Sequence, residues 1–138
     1  MPKLVLGGSG PSAVITLGQS VKVVIVGGVL SVGDCLLAAY SGGSWRVGMH
    51  RVDRISYSEP VSLEVHARGG SRPLTYGPFP DLSITGRLLC SRDGLLARYD
   101  ELEEDWYFDR HGSICDRIRL LDGHPQSAPA MRRERALS

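Results

Sequence analysis

Several groups of residues in this 138-residue chain are of types that can do chemistry. Gly8-Ser9-Gly10-Pro11-Ser12-Ala13 matches the loose glycine pattern of a dinucleotide-binding loop. That loop works when a helix N-terminus follows it and receives the pyrophosphate, whereas Val14-Ile15-Thr16-Leu17-Gly18 is β-branched and stopped by glycine. Val24-Ile25-Val26-Gly27-Gly28 lacks the fingerprint spacing to Gly33, and no lysine completes a phosphate-binding loop. Both segments predict tight turns between strands.

His50, His66, His111 and His124 could act as bases or metal ligands, but none has a partner two to four residues on that would fix a metal. Asp100, Glu101, Glu103, Glu104 and Asp105 could pair carboxylates for acid–base work, and they read instead as a solvated acidic face. Ser9, Ser20 and Ser44 lie near glycines without forming a nucleophile elbow. Cys35, Cys90 and Cys115 are odd in number and widely spaced, which predicts buried free thiols and neither a zinc site nor a disulfide scaffold. The residues therefore point to a protein that is not an enzyme and holds no cofactor or metal.

The bulk numbers are those of one globular domain with one modest core. Sixteen Lys and Arg against fifteen Asp and Glu leave no excess of positive charge with which to neutralise many phosphates. No apolar run approaches the ~18 residues of a membrane span. The opening residues do not form a secretory leader, so the expected compartment of synthesis is a cytosol.

Seventeen glycines and eight prolines, scattered among stretches rich in Val, Ile, Leu, Thr and Tyr, read as a mainly β chain. Strands are expected at Ala13–Leu17 and Val21–Val26, over Val29–Tyr40, and along a long, bulged Trp45–Ser58 with its phase change near Arg51-Val52. Val61, Leu63 and Val65 alternate with polar residues in another strand, and Leu82–Ser91 and Ile114–Leu121 follow the same logic. Gly69 to Asp81 holds three glycines and three prolines and is expected as a long loop. Asp93 is placed to cap one short helix, in which Leu95, Leu96, Tyr99 and Leu102 share a face before Glu103-Glu104-Asp105 ends it. One domain over residues 1–122, with an N-terminal arm at about 1–12, and a loose or partner-ordered tail over 123–138, is the organisation this predicts.

From Arg54 onward the order of landmarks is Ile55-Ser56-Tyr57-Ser58, Val65, Gly70-Ser71-Arg72-Pro73, Tyr76-Gly77, Ile84-Thr85-Gly86-Arg87-Leu88, then Asp93 with Leu95-Leu96. This order resembles the tail tube proteins of tailed bacteriophages and their tube-like baseplate relatives, over about Val21 to Leu102. It departs from their pattern at His66 and at Pro78-Phe79-Pro80.

The resemblance implies a mainly β fold, a β-sandwich or partial barrel with one short helix, whose edge strands pair between subunits. It implies a six-membered homo-oligomeric ring, rings stacked into a virion tail tube, and DNA passing through without sequence-specific binding. Partners would be copies of the chain itself and a tail sheath or baseplate protein, with no membrane.

Under it, Gly69, Gly70, Arg72, Pro73, Tyr76, Phe79 and Asp81, with the segment Pro2–Ser12, would contact neighbouring subunits or rings. The acidic helix would lie outside or at a ring junction, and Arg46, Arg51 or Glu64 could line the lumen. Any of Cys35, Cys90 and Cys115 at a subunit boundary could cross-link the assembly on oxidation. The competing expectation is a small β-barrel module that binds a ligand or peptide through the Gly69–Asp81 loop.

Overall fold

Glycine-led turns at short intervals divide the chain into strands too brief to fold back as anything but antiparallel neighbours. The computed structural model describes residues 3–8, 12–18, 21–70 and 72–122. Among them all regular structure is strand: β1 (Lys3–Gly7), β2 (Ala13–Thr16), β3 (Val23–Val26), β4 (Val29–Val32), β5 (Cys35–Ser41), β6 (Ser44–Val47), β7 (His50–Val52) and β8 (Arg54–Tyr57). After Ser58-Glu59-Pro60 come β9 (Val61–Ala67), β10 (Leu74–Phe79), β11 (Leu82–Thr85), β12 (Leu88–Ser91), β13 (Gly94–Asp100), β14 (Asp105–Phe108) and β15 (Ser113–Asp122).

All pairings are antiparallel, in one curled sheet of half-barrel form. Its hydrogen-bonded path runs β2-β1-β8-β11-β12-β13-β14-β15-β3-β4-β5-β6-β7, with the β9–β10 hairpin attached to β15. Only Asp53 separates β7 from β8, so the far end of the path returns to the chain segment near its start. Curling lets a single sheet enclose one core, in which Trp45, Trp106, Phe79, Phe108, Ile25 and Leu63 are fully buried.

The chain is built from two equivalent halves. Val23-Val24-Ile25-Val26-Gly27 corresponds to Leu82-Ser83-Ile84-Thr85-Gly86, Leu36-Leu37-Ala38-Ala39-Tyr40 to Leu95-Leu96-Ala97-Arg98-Tyr99, Trp45 to Trp106, and Asp53-Arg54-Ile55 to Asp116-Arg117-Ile118. The pairing repeats with the sequence. Leu4 faces Tyr57 as Leu63 faces Leu120, and Ile55 faces Ile84 as Ile118 faces Ile25. Since β8 of the first half pairs with β11 of the second, and β15 of the second with β3 of the first, the halves are related by a pseudo-twofold axis.

Several expectations are corrected. Where the helix Leu95–Leu102 was expected, the chain is strand β13 as far as Asp100 and then a turn, and another turn at Arg92-Asp93 precedes it, so Asp93 caps no helix. The helix-like spacing came from a bulge. Leu89 pairs with Ala97 and Cys90 with Leu95, leaving Leu96 as an extra residue, so that Leu96 and Ala97 are buried side by side. The first half has the same device, with Leu37 extra between Leu36 and Ala38.

Val29–Tyr40 is two strands turning at Gly33 (φ 61°), and Leu82–Ser91 is two turning at Gly86 (φ 56°). Trp45–Ser58 is not one bulged strand, because Gly48 (φ 62°) reverses the chain and Asp53 then breaks it. The expected arm contains β1, an internal strand between β2 and β8 with Leu4 and Leu6 buried. Part of the expected loop is β10, which pairs with β9 and loses register between Tyr76 and Phe79, where Pro78 has no amide hydrogen to donate. The tail 123–138 lies outside the described residues.

Candidate functional site

The residues assigned to subunit contact fall into two sets. Gly69, Gly70, Arg72 and Pro73 are exposed on the connection between β9 and β10. Tyr76, Phe79 and Asp81 are engaged within the chain. Phe79 is 1% exposed, with the Arg110 guanidinium 5.1 Å from its ring centroid. Tyr76 Oη and His111 Nδ1 are hydrogen-bonded at 2.8 Å, and the Tyr76 ring lies against Phe108 at 5.0 Å. Asp81 accepts a hydrogen bond from the Arg92 backbone amide at 2.7 Å. These contacts seat β10 on the core and leave its outer edge open.

The acids expected on a helix instead form a hairpin tip. Glu101–Glu104 joins β13 to β14 where the first half has the tighter Gly42-Gly43 between β5 and β6. Asp100 organises the tip: its carboxylate accepts from the Leu102 and Glu103 amides at 2.9 and 3.1 Å, and its carbonyl from the Glu104 amide at 2.7 Å. Glu104 takes φ 59°, and Leu102 at the apex is 95% exposed.

Arg68 clamps this tip. Its Nη2 donates to Asp105 at 2.6 Å and to the Glu103 carbonyl at 2.9 Å, its Nε also reaches Asp105, and Nη1 pairs with the Glu103 carboxylate. These hydrogen bonds to Asp105 and Glu103 hold the guanidinium well above its ordinary pKa.

On the face of β12–β14 beside the tip lies an open concavity of about 890 Å3, lined by Arg87, Arg98, Tyr99, Glu101 and Tyr107 among others. Its arginines are already paired, Arg87 with Glu101 at 3.3 Å and Arg98 with Asp109 at 3.6 Å, while Arg98 also stacks over Tyr107 at 5.3 Å. Burial, then the charges of Glu104, Asp105 and Glu101, raise the Tyr99 hydroxyl pKa, so it stays protonated. Inside the core, the cavity between Leu4, Ile25, Ile55, Ile84 and Leu89 measures about 20 Å3 with an apolar lining, room for a water at most and no ligand.

His50 is exposed, His66 lies 3.5 Å from Glu64, His111 is held by Tyr76, and His124 lies outside the described residues. Glu64 also pairs with Arg119 at 3.5 Å across β9 and β15. Arg46 and Arg51 are exposed, Arg51 being paired with Asp53 at 3.2 Å. No group of three or more His, Cys, Asp or Glu that could hold a metal is present among the described residues. The cysteines depart from the buried expectation in part, because Cys35 is exposed, Cys90 half-buried and Cys115 buried, all as free thiols. Burial pushes the Cys115 thiol pKa up.

No family model, curated protein or solved structure matches this chain.

Two features escaped the reading of motifs. Arg68 is one arginine among many and becomes distinct only through its partners. The internal duplication was legible in Leu-Leu-Ala-x-Tyr at Leu36–Tyr40 and Leu95–Tyr99 and in the two Asp-Arg-Ile segments. Two changes in loop length obscure it, one between Leu-Leu-Ala-x-Tyr and the tryptophan and one between the tryptophan and Asp-Arg-Ile.

Proposed function

We propose that this chain is a structural subunit that works by assembling with copies of itself, of the tail tube or tube-like baseplate kind its sequence resembles. The observation that carries this reading is the open edge of β2. Among the described residues Ala13–Thr16 pairs with β1 alone, and it bears no charge and exposes Val14 at 57%. An uncharged strand with unmet backbone donors and acceptors is a template for a strand of another chain. Among the described residues β10 and β7 likewise pair with one strand each, and Gly77 and Pro78 interrupt the β10 ladder, so the β2 and β10 edges are not interchangeable. Subunits with unlike edges join head to tail, which gives rings where the rotation closes and filaments where it does not.

In the finer reading the closed assembly is a six-membered ring, rings stack into a tube that conducts DNA, and a sheath or baseplate protein covers it. Negative-stain electron microscopy of the purified protein across concentration and salt tests this. Annular particles or hollow filaments are expected. A monomer at every concentration would overturn the reading and favour a ligand-binding module, whose ligand would have to use the open β12–β14 face rather than the core.

A further inference from the structure

The two halves meet through groups that each supplies to the other in duplicate. Between them run two ladders, β8 with β11 and β3 with β15. Two indole bonds cross the same boundary, Trp45 Nε1 to the Gly86 carbonyl and Trp106 Nε1 to the Gly27 carbonyl, both 2.8 Å. Tyr40 and Tyr99, equivalent residues, meet edge to face at 5.1 Å. Among the described residues all other ladders stay within one half.

The link between the halves is only Ser58-Glu59-Pro60. The strands it joins are not paired with each other, since β8 pairs with β1 and β11, and β9 with β10 and β15. Opening this hinge therefore breaks no hairpin of its own. The chain bends at Glu59 in this structure, whereas the proline that follows biases that residue toward extended backbone, the conformation an opened hinge would use. Short hinges of this kind invite exchange of equivalent elements between chains.

The geometry points to exchange of halves as the joint between copies: the first half of one chain packs its β3, β8 and Trp45 onto β15, β11 and Gly86 of a second copy. The ladders and indole bonds that open within one chain re-form between two, so the exchanged form differs in energy mainly at the hinge. Because one half of each chain can engage a different neighbour, exchange propagates head to tail. This inference rests on the self-assembly reading and supplies one interface for it, leaving the β2 and β10 edges free for a second.

Ser56 and Ser83 are directly opposed on β8 and β11, and Val24 and Arg119 occupy the equivalent place on β3 and β15. The test uses the full chain with C35S, C90S and C115A, carrying either S56C with S83C or V24C with R119C, assembled at high concentration and then mildly oxidised. The second pair guards against a folding defect in the first. Exchange predicts disulfide-linked dimers and higher species on a non-reducing gel, reduced to monomer by thiol. Inserting six Gly/Ser residues into Ser58–Pro60, which lets the halves close on themselves, should convert most of that ladder into monomers with an internal disulfide.

If oligomers form and both cysteine pairs close only within single chains, exchange is overturned while self-assembly stands. If no oligomer forms at any concentration, both fall.

Discussion

The indole Nε1 of Trp106 donates to the backbone carbonyl of Gly27 at 2.8 Å, across 79 residues of sequence. Its counterpart, Trp45 to Gly86, has the same length but is only part-buried. Each tryptophan, 1% exposed, thus bonds to a hairpin turn of the other half, Trp106 to the β3–β4 turn and Trp45 to the β11–β12 turn. A large ring buried with its one donor satisfied combines apolar burial with a directional bond, and the pair fixes how the halves register.

Replacing either tryptophan by phenylalanine should therefore separate the bond from the burial. Trp106→Phe leaves the Gly27 carbonyl unmet in a buried setting and should cost about 2–3 kcal/mol, whereas Trp45→Phe, with water nearer to Gly86, should cost about 1–2 kcal/mol. Urea denaturation of the two variants measures the difference. Equal losses would mean that the greater burial of the Trp106 bond carries no energetic weight.

The two glycines that accept these bonds predict a second contrast. Gly27 and Gly86 share the left-handed backbone, φ 55° and 56°. A Cβ on Gly27 would lie 2.7 Å from the Glu104 carbonyl oxygen, whereas one on Gly86 would meet nothing within 4 Å. Gly86→Ala should cost about 1–2 kcal/mol for the backbone alone, and Gly27→Ala about 2–4 kcal/mol because a backbone clash is added. Thermal unfolding should rank Gly27→Ala well below Gly86→Ala.

Arg68→Ala should loosen the acidic tip without unfolding the sheet, since its partners Glu103 and Asp105 lie in the turn and at the first residue of β14. Amide exchange is the suitable readout. Glu103, Glu104 and Asp105 should lose protection, while Leu63 and Ile118 keep theirs. The raised Arg68 pKa adds no change near neutral pH. A cation whose folded pKa is raised contributes in full below its unfolded value and loses that contribution only as pH rises beyond it.

The three thiols should react in the order of their exposure. Cys35 should be modified within the native protein, Cys90 more slowly, and Cys115 only on unfolding. Burial raises the Cys115 pKa above its ordinary 9.0, so the folded state retains a proton that the unfolded state releases. That contribution is full below pH 9.0 and declines as pH rises through the raised value. Thiol labelling with and without denaturant, at pH 8 and 10, checks both statements.

Much of this protein was legible without coordinates, because glycine turns and β-branched residues act locally. The mainly β class, the alternation of Val61, Leu63 and Val65, and the non-helical segment after Ser12 all follow from neighbours in the chain. Local pattern misled at Leu95–Leu102, where the bulge at Leu96 gave a strand the spacing of a helix, and at Leu74–Phe79, where glycine and proline concealed an edge strand. Bulges and edges depend on the partner strand, and one chain segment does not carry its partner's register.

Residue types and their local order make this a β chain, and its repeated segments already contain the duplication. Interlocking of the duplicated halves, in place of a side-by-side arrangement, arises in the folded sheet alone. That outcome turns on β8 meeting β11 and β15 meeting β3, on indoles reaching carbonyls in the opposite half, and on which edges remain open. These pairings join residues far apart in sequence, and their closure depends on the whole curled sheet rather than on the preferences of any strand within it.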